Sequence, residues 1–220
     1  MSCMTARTLF TAFILLGTAV TIPAKAVPPV APAPQHFAPA EEADLQRAST
    51  YLNSLQSVEG SFIQLTNDGR SAKGTFYLKK PGRIRFEYDK PSPVLIVADG
   101  TTVAVQNSQL HTTDRYPIGN TPLRLLLTNV DLTNDAHITS VRHQPGALEI
   151  TAEEKNGPAA GQMTMYFADT GNTLQLSHWD VVDARGAHTT VSVSGLHTVS
   201  DLPPQLFAIQ DLSPFKRTDR

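Results

Sequence analysis

Turn-forming clusters cut most of this chain into pieces too short for ordinary helices. Asn67-Asp68-Gly69, Pro81-Gly82, Asp99-Gly100, Asn107-Ser108, Pro145-Gly146, Asn156-Gly157, Asp169-Thr170-Gly171 and Asp183-Ala184-Arg185-Gly186 follow one another from Val58 onward. Each offers the positive-φ or proline-fixed backbone of a tight turn. The segments between them read as about eleven strands, at 58–66, 71–79, 83–88, 93–98, 102–106, 109–114, 137–143, 147–153, 162–168, 173–182 and 187–198. Links this short join neighbouring strands antiparallel, so a meander is predicted. Ile118 to Asp135 is the one interruption; there Thr121 is a plausible N-cap and Pro122 a first helical residue for a short leucine-rich helix through Leu123, Leu125, Leu126 and Leu127.

Successive strand residues point to opposite sides of a sheet, which lets each segment be sorted by parity. Ile84, Phe86 and Tyr88 oppose Arg83, Arg85 and Glu87; Phe76 and Leu78 share a side with Lys80; Met163, Met165 and Phe167 oppose Gln162, Thr164 and Tyr166. Leu174 and Leu176 share a side that continues into His178 and Asp180, which puts Trp179 on the opposite side. One face is apolar. About two helices cannot cover eleven strands laid flat, so the sheet is expected to curl into an open or incomplete barrel. Such a barrel encloses space, either packed solid or left in part to an apolar ligand, with Ala98, Ala104, Met163 and Met165 as small or adaptable candidates to line it.

The N-terminal region has a different character. Arg7, an apolar run from Thr8 to Ile22 and the small-x-small triplet Ala24-Lys25-Ala26 read as a signal peptide over 1–26, cleaved after Ala26. Residues 27–40, with five prolines, are expected to form a disordered leader. Leu45, Ala48, Leu52 and Leu55, preceded by Glu41, Glu42 and Asp44, predict an amphipathic helix over 41–55. A globular domain would then occupy 41–212, with a flexible tail at 213–220. The single cysteine, Cys3, precedes the apolar run and is neither a lipid attachment point nor a disulfide partner. A net charge of −2 over 220 residues argues against a strongly basic nucleic-acid binder, and export removes two cations more.

Other chemistry is thinly signalled. His178 and Asp180 on one parity, with His188 across a turn, suggest an envelope metal-dependent enzyme as one alternative, yet no further ligand falls at a recognisable spacing. Ser61, Ser177 and Ser192 lack a Gly-x-Ser-x-Gly context. Arg83 and Arg85 form either an ordinary charged surface or a dock for an acidic partner. Trp179, by parity, covers the outside of the sheet or anchors a partner.

Several stretches resemble the periplasmic outer-membrane lipoprotein carriers, the LolA family. They are Leu55-Gln56-Ser57-Val58, Ser61-Phe62-Ile63-Gln64, the run Gly74-Thr75-Phe76-Tyr77-Leu78-Lys79-Lys80-Pro81-Gly82-Arg83-Ile84-Arg85-Phe86-Glu87-Tyr88, Pro91, Leu95-Ile96-Val97-Ala98-Asp99-Gly100, Gly119-Asn120-Thr121-Pro122 and Leu206-Phe207. The resemblance implies a mainly β fold with short α-helices: an incomplete antiparallel eleven-stranded barrel with a helical lid over an apolar cavity. It also implies a non-enzymatic periplasmic chaperone without cofactor or metal. Such a chaperone shields the acyl chains of lipid-modified proteins on their way from an inner-membrane lipoprotein-releasing ABC transporter to the outer membrane. It would work as a monomer and bind no nucleic acid; an outer-membrane receptor is left open as a further partner. A binder or sensor of another lipid or glycolipid on the same fold is the nearer alternative. Phe62, Phe76, Leu78, Ile84, Phe86, Tyr88, Ile96, Met163, Met165, Leu174 and Leu176 are expected to line the cavity. Lys80, Pro122, Leu123, Leu125 and Leu126 are assigned to the lid. The family commonly places arginine before the proline, a residue linked to lid closure. Lys80 stands there in this chain and lacks the guanidinium fork; at the end of an apolar parity, it is expected to hold the lid closed by donating to backbone carbonyls.

Overall fold

A computed structural model of the chain describes residues 35–154, 160–183 and 185–212. The expected signal peptide 1–26, the leader up to residue 34, the Asn156-Gly157 turn and the tail 213–220 lie outside the described residues. The rest forms α1 (Pro39–Ser54), β1 (Ser57–Thr66), β2 (Ser71–Lys79), β3 (Arg83–Tyr88), β4 (Val94–Asp99), β5 (Thr102–Asn107) and β6 (Thr112–Pro117). A 3-10 turn (Ile118–Asn120) and the one-turn α2 (Arg124–Leu127) lead to β7 (His137–Gln144), β8 (Ala147–Glu154), β9 (Gly161–Asp169), β10 (Leu174–Asp183) and β11 (His188–Thr198).

The eleven strands make one antiparallel sheet in the order β6-β5-β4-β3-β2-β1-β11-β10-β9-β8-β7. β6 and β7 are consecutive in the chain yet occupy the two outer edges, so the segment carrying α2 must cross the whole mouth of the sheet. Every strand but β6 contributes to one apolar cluster on the concave side, as expected of an incomplete barrel. α1 lies against β7 and β10 and buries Leu45, Ala48 and Leu52 completely.

Helix α1 starts at Pro39, inside the expected leader. Proline suits the first helical turn because its missing N–H has no intrahelical acceptor to lose, and the Glu41 carboxylate accepts from the Ala38 amide. The residues before it are also engaged. Gln35 mimics a peptide group at the open edge of β7, donating to the Ile138 carbonyl at 2.7 Å and accepting from its amide at 2.9 Å. Thr121 does not cap α2, since its hydroxyl donates back to the Ile118 carbonyl. β6 begins three residues later than its predicted start at 109. The Asn107 carboxamide accepts from the Gln109 and Leu110 amides and His111 takes φ +53°, which lengthens the turn.

The largest departure from parity is in β10. Between Leu176 and His178 the register with β9 slips by one residue, a bulge at Ser177. Leu174 and Leu176 face inward before it; Trp179 does so after it, buried to 1 % exposure with its ring 6.3 Å from Phe86. His178 and Asp180 accordingly lie on the outer side, and Trp179 does not cover the outside. The outer side has its own cover. After β11 the chain folds back over β2–β5, where Leu202 and Phe207 pack on Val97 and Ala104, so Ala104 is an outer-face residue and not a lining one.

Trp179 is the sole tryptophan. Trp179→Ala is expected to cost about 3–5 kcal/mol in urea unfolding followed by circular dichroism. A loss of about 0.5 kcal/mol or less, ordinary for a surface position, would contradict its inward placement.

Candidate functional site

The apolar concave face and what covers it form the candidate site. Of the expected lining residues, Phe62, Phe76, Leu78, Ile84, Phe86, Met163, Met165 and Leu176 are buried in the inner cluster. Tyr88, Ile96 and Leu174 are half-buried against it. Phe62 stands edge-on to Phe86 and Tyr88 at 5.1 and 5.0 Å, and burial pushes the Tyr88 phenol up to about 12, keeping it a neutral donor to Gln64.

The interior is closed. Where parity left open an unfilled cavity, α1 and the leucines of the crossing segment fill the hollow. The space left among Phe76, Leu78, Leu126, Leu176, Trp179 and Val193 is about 10 Å³, room for one water molecule at most. Leu125, Leu126 and Leu127 are buried, Leu123 and Pro122 half-buried, and Val130 and Leu132, which the sequence reading did not single out, go in with them. The filling is thus not sheet meeting sheet. It is two separate pieces of chain laid into a trough.

Polar bonds hold these pieces together. The Lys80 ammonium, beyond the last residue of β2, donates to the Leu52 carbonyl of α1 at 2.8 Å and to the Thr128 carbonyl just after α2 at 2.8 Å. The adjoining Gly82 amide donates to Leu127 at 2.7 Å. From α1, Asn53 exchanges two bonds of 2.9 Å with the backbone of Val130, and Ser49 accepts from the Leu132 amide at 3.0 Å. Both carbonyls that Lys80 serves lie at or near helix ends, where intrahelical donors run out. Lys80 is 8 % exposed, and burial pushes it down to about 8. The two carbonyl acceptors favour its charged form, which it keeps at neutral pH.

A second polar cluster fixes the other half of α1. Arg47 grips both oxygens of Asp169 at 3.0 and 2.8 Å and reaches Asp44 at 3.1 Å. His143 of β7 faces the two carboxylates at 2.9 Å (Asp44) and 3.5 Å (Asp169). The Arg47 guanidinium, with the Gly171 amide, holds the Asp169 carboxyl below the usual range. Asp169 extends the inward parity of Met163, Met165 and Phe167, a signal present in the sequence; its partner on α1 was not identifiable there.

His178, Asp180 and His188 are each engaged by neighbouring side chains. His178 stacks on Tyr166 at 4.1 Å and its Nδ1 lies 2.8 Å from Ser177 Oγ, while Asp180 accepts from Thr190 at 2.5 Å and sits 3.6 Å from His188. Among the described residues, no group of three or more His, Cys, Asp or Glu is placed to hold a metal ion. Arg85 is occupied by Glu87 and the Leu206 carbonyl, under the returning C-terminal segment, rather than offered to a partner.

The family model for outer membrane lipoprotein carrier protein LolA matches residues 53–210, from the end of α1 past β11. The chain belongs to the LolA family. Among its relatives, an outer-membrane lipoprotein carrier protein of Nitrosospira multiformis is 27 % identical over 169 residues, spanning 72 % of this chain and 80 % of its own. One from Xanthomonas oryzae pv. oryzae is 29 % identical over 163 residues, spanning 68 % and 76 %. A solved LolA superfamily protein of Nitrosomonas europaea aligns at TM-score 0.45 and 10 % identity, over 77 % of this chain and 97 % of its own.

Lys80 releases its proton more readily folded than unfolded, so between about pH 8 and 10.5 the unfolded chain binds more protons and stability rises with pH. In urea titrations, the wild type is expected to gain on Lys80→Met across that window. A flat difference would place the ammonium in water.

Proposed function

We propose that this member of the LolA family is a non-enzymatic periplasmic carrier that shields the acyl chains of lipid-modified proteins. It takes them from an inner-membrane lipoprotein-releasing ABC transporter towards the outer membrane, working as a monomer without cofactor or metal. The observation that supports this reading is the filling itself: a concave apolar face of sheet residues is covered not by other strands but by α1 and the 118–132 segment, which Lys80 joins through two backbone carbonyls. The name borne by the relatives, outer-membrane lipoprotein carrier protein, supplies the cargo class, and the expected signal peptide supplies the compartment.

The energetics suit that task. At about 0.8 kcal/mol per methylene, one acyl chain of ordinary length resists leaving a bilayer by on the order of 10 kcal/mol. A carrier must recover much of this and still let go. An empty state already closed over its own leucines lowers affinity by the free energy of opening, which makes delivery feasible. Lys80 sets part of that opening cost, because lifting the segment strands the Thr128 carbonyl and leaves the buried ammonium with the Leu52 carbonyl of α1 alone.

Depletion of the protein in its own cell is expected to leave lipidated proteins at the inner membrane; normal sorting would reject the carrier reading. Lys80→Leu removes the bonds that favour closure, so purified variant is expected to retain a bound lipoprotein about ten-fold longer, equivalent to about 1.4 kcal/mol. Release and transfer at the wild-type rate would show that Lys80 has no part in closure. Mass spectrometry of co-purified ligand separates lipoprotein acyl chains from a free lipid or glycolipid.

A further inference from the structure

We propose that the outer face of β7–β10 carries a binding site for a neutral sugar, set against the Tyr166–His178 ring stack and the Arg142–Glu149 pair. It lies on the side of the sheet away from the apolar trough, and so stands apart from the carrier reading.

The outer face is covered unevenly. Over β2–β5 the returning C-terminal segment packs Leu202 and Phe207 on it. Over β7–β10 a groove of about 370 Å³ is left open, against about 10 Å³ inside the trough. That volume is in the range of small-molecule sites.

The strand ladder explains the groove's shape. Ala147 of β8 and Ala168 of β9 are paired and exposed, and two methyl groups leave a low place in the surface. The next outward pair on the same two strands is Glu149 and Tyr166, which continues into Arg142 on β7 and His178 on β10. Four long side chains thus stand as a wall beside two short ones. Gln144, opposite Ala147 on β7, joins the lining.

The bulge in β10 completes the wall, because its extra residue adds Ser177 to the lining beside His178. Ser177 Oγ donates to the Tyr166 carbonyl at 3.1 Å and lies 2.8 Å from His178 Nδ1. With its single proton on that carbonyl, Oγ accepts from Nδ1–H, and Nε2 of the uncharged imidazole is left as an acceptor. The imidazole stacks on Tyr166 at 4.1 Å with 10° between the ring planes, while the phenol donates to Asp180 at 3.3 Å. Tyr166 is therefore held by both its ring and its tip.

These groups favour one chemistry. A sugar presents C–H bonds on the face of its ring and hydroxyls that both donate and accept around its edge. A ring fixed in place meets the first. Arg142 as donor, Glu149 as acceptor and the Gln144 amide as both meet the second. A free anion is disfavoured, since the Arg142 guanidinium is already neutralised by Glu149. An acyl chain is disfavoured by the polar wall.

The test is amide NMR on the purified, isotope-labelled protein, titrated with maltose and with N,N′-diacetylchitobiose as neutral disaccharide probes. At least one is expected to move the amides of 144–149, 166–168 and 177–178 with millimolar affinity, leaving those of 62–65 in place. Tyr166→Ala is expected to weaken that affinity about ten-fold. Ala168→Leu, which raises the groove floor at an exposed position, is expected to do the same with its urea midpoint unchanged. Should Tyr166→Ala fail to fold, Ala168→Leu decides alone. No movement in the groove with either sugar, or undiminished affinity in either folded variant, would overturn the proposal. Larger movement with inorganic phosphate than with either sugar would mark an anion site and overturn it as well.

Discussion

An apolar trough in water is the constraint from which the rest of this structure follows. Phe62, Phe76, Ile84, Phe86, Met165 and Trp179 line a curved sheet whose outer edges do not meet, and their burial supplies the main driving force for folding. A closed barrel would satisfy them by side chains meeting across its axis. This sheet leaves the axis wide enough for a helix, and the chain lays α1 and a leucine turn there. Occupied by its own chain, the same surface is the stabilising core.

Fixing that filling in one position is a task for polar groups. Leucines give α2 its attraction to the trough, but apolar contact is non-directional and sets no single position. Lys80 adds direction by joining two carbonyls that belong to different pieces of chain. An ammonium suits that role as a compact donor with three protons. Burial of the lysine charge costs solvation, which offsets part of what its two bonds contribute. The Arg47–Asp169 pair at the other half of α1 has no such softness, being two-pronged and neutralised in place.

The outer side shows a second consequence of building on so many strands. Leu95, Ile96, Val97 and Ala98 form an unbroken apolar run in β4, the pattern of a strand covered on both faces. The returning C-terminal segment supplies the second cover through Leu202 and Phe207. That run was legible in the sequence, but what lay over it was not, because Leu202 is more than a hundred residues from Val97 and no local period links them.

Local rules thus settled the number of strands, their antiparallel order, most of the inward-facing residues and the amphipathic helix, since turns and alternation depend on neighbours a few residues apart. Even so, one extra residue at Ser177 was enough to turn Trp179 inward and His178 and Asp180 outward, because a pleat with period two has no memory across a bulge. The pairing of Arg47 with Asp169, of Asn53 with Val130, and of Lys80 with two particular carbonyls was decided only by tertiary structure. Those partners are brought together by the curvature of the sheet and by the path of one segment from edge to edge, and neither leaves a mark in the spacing of residues along the chain.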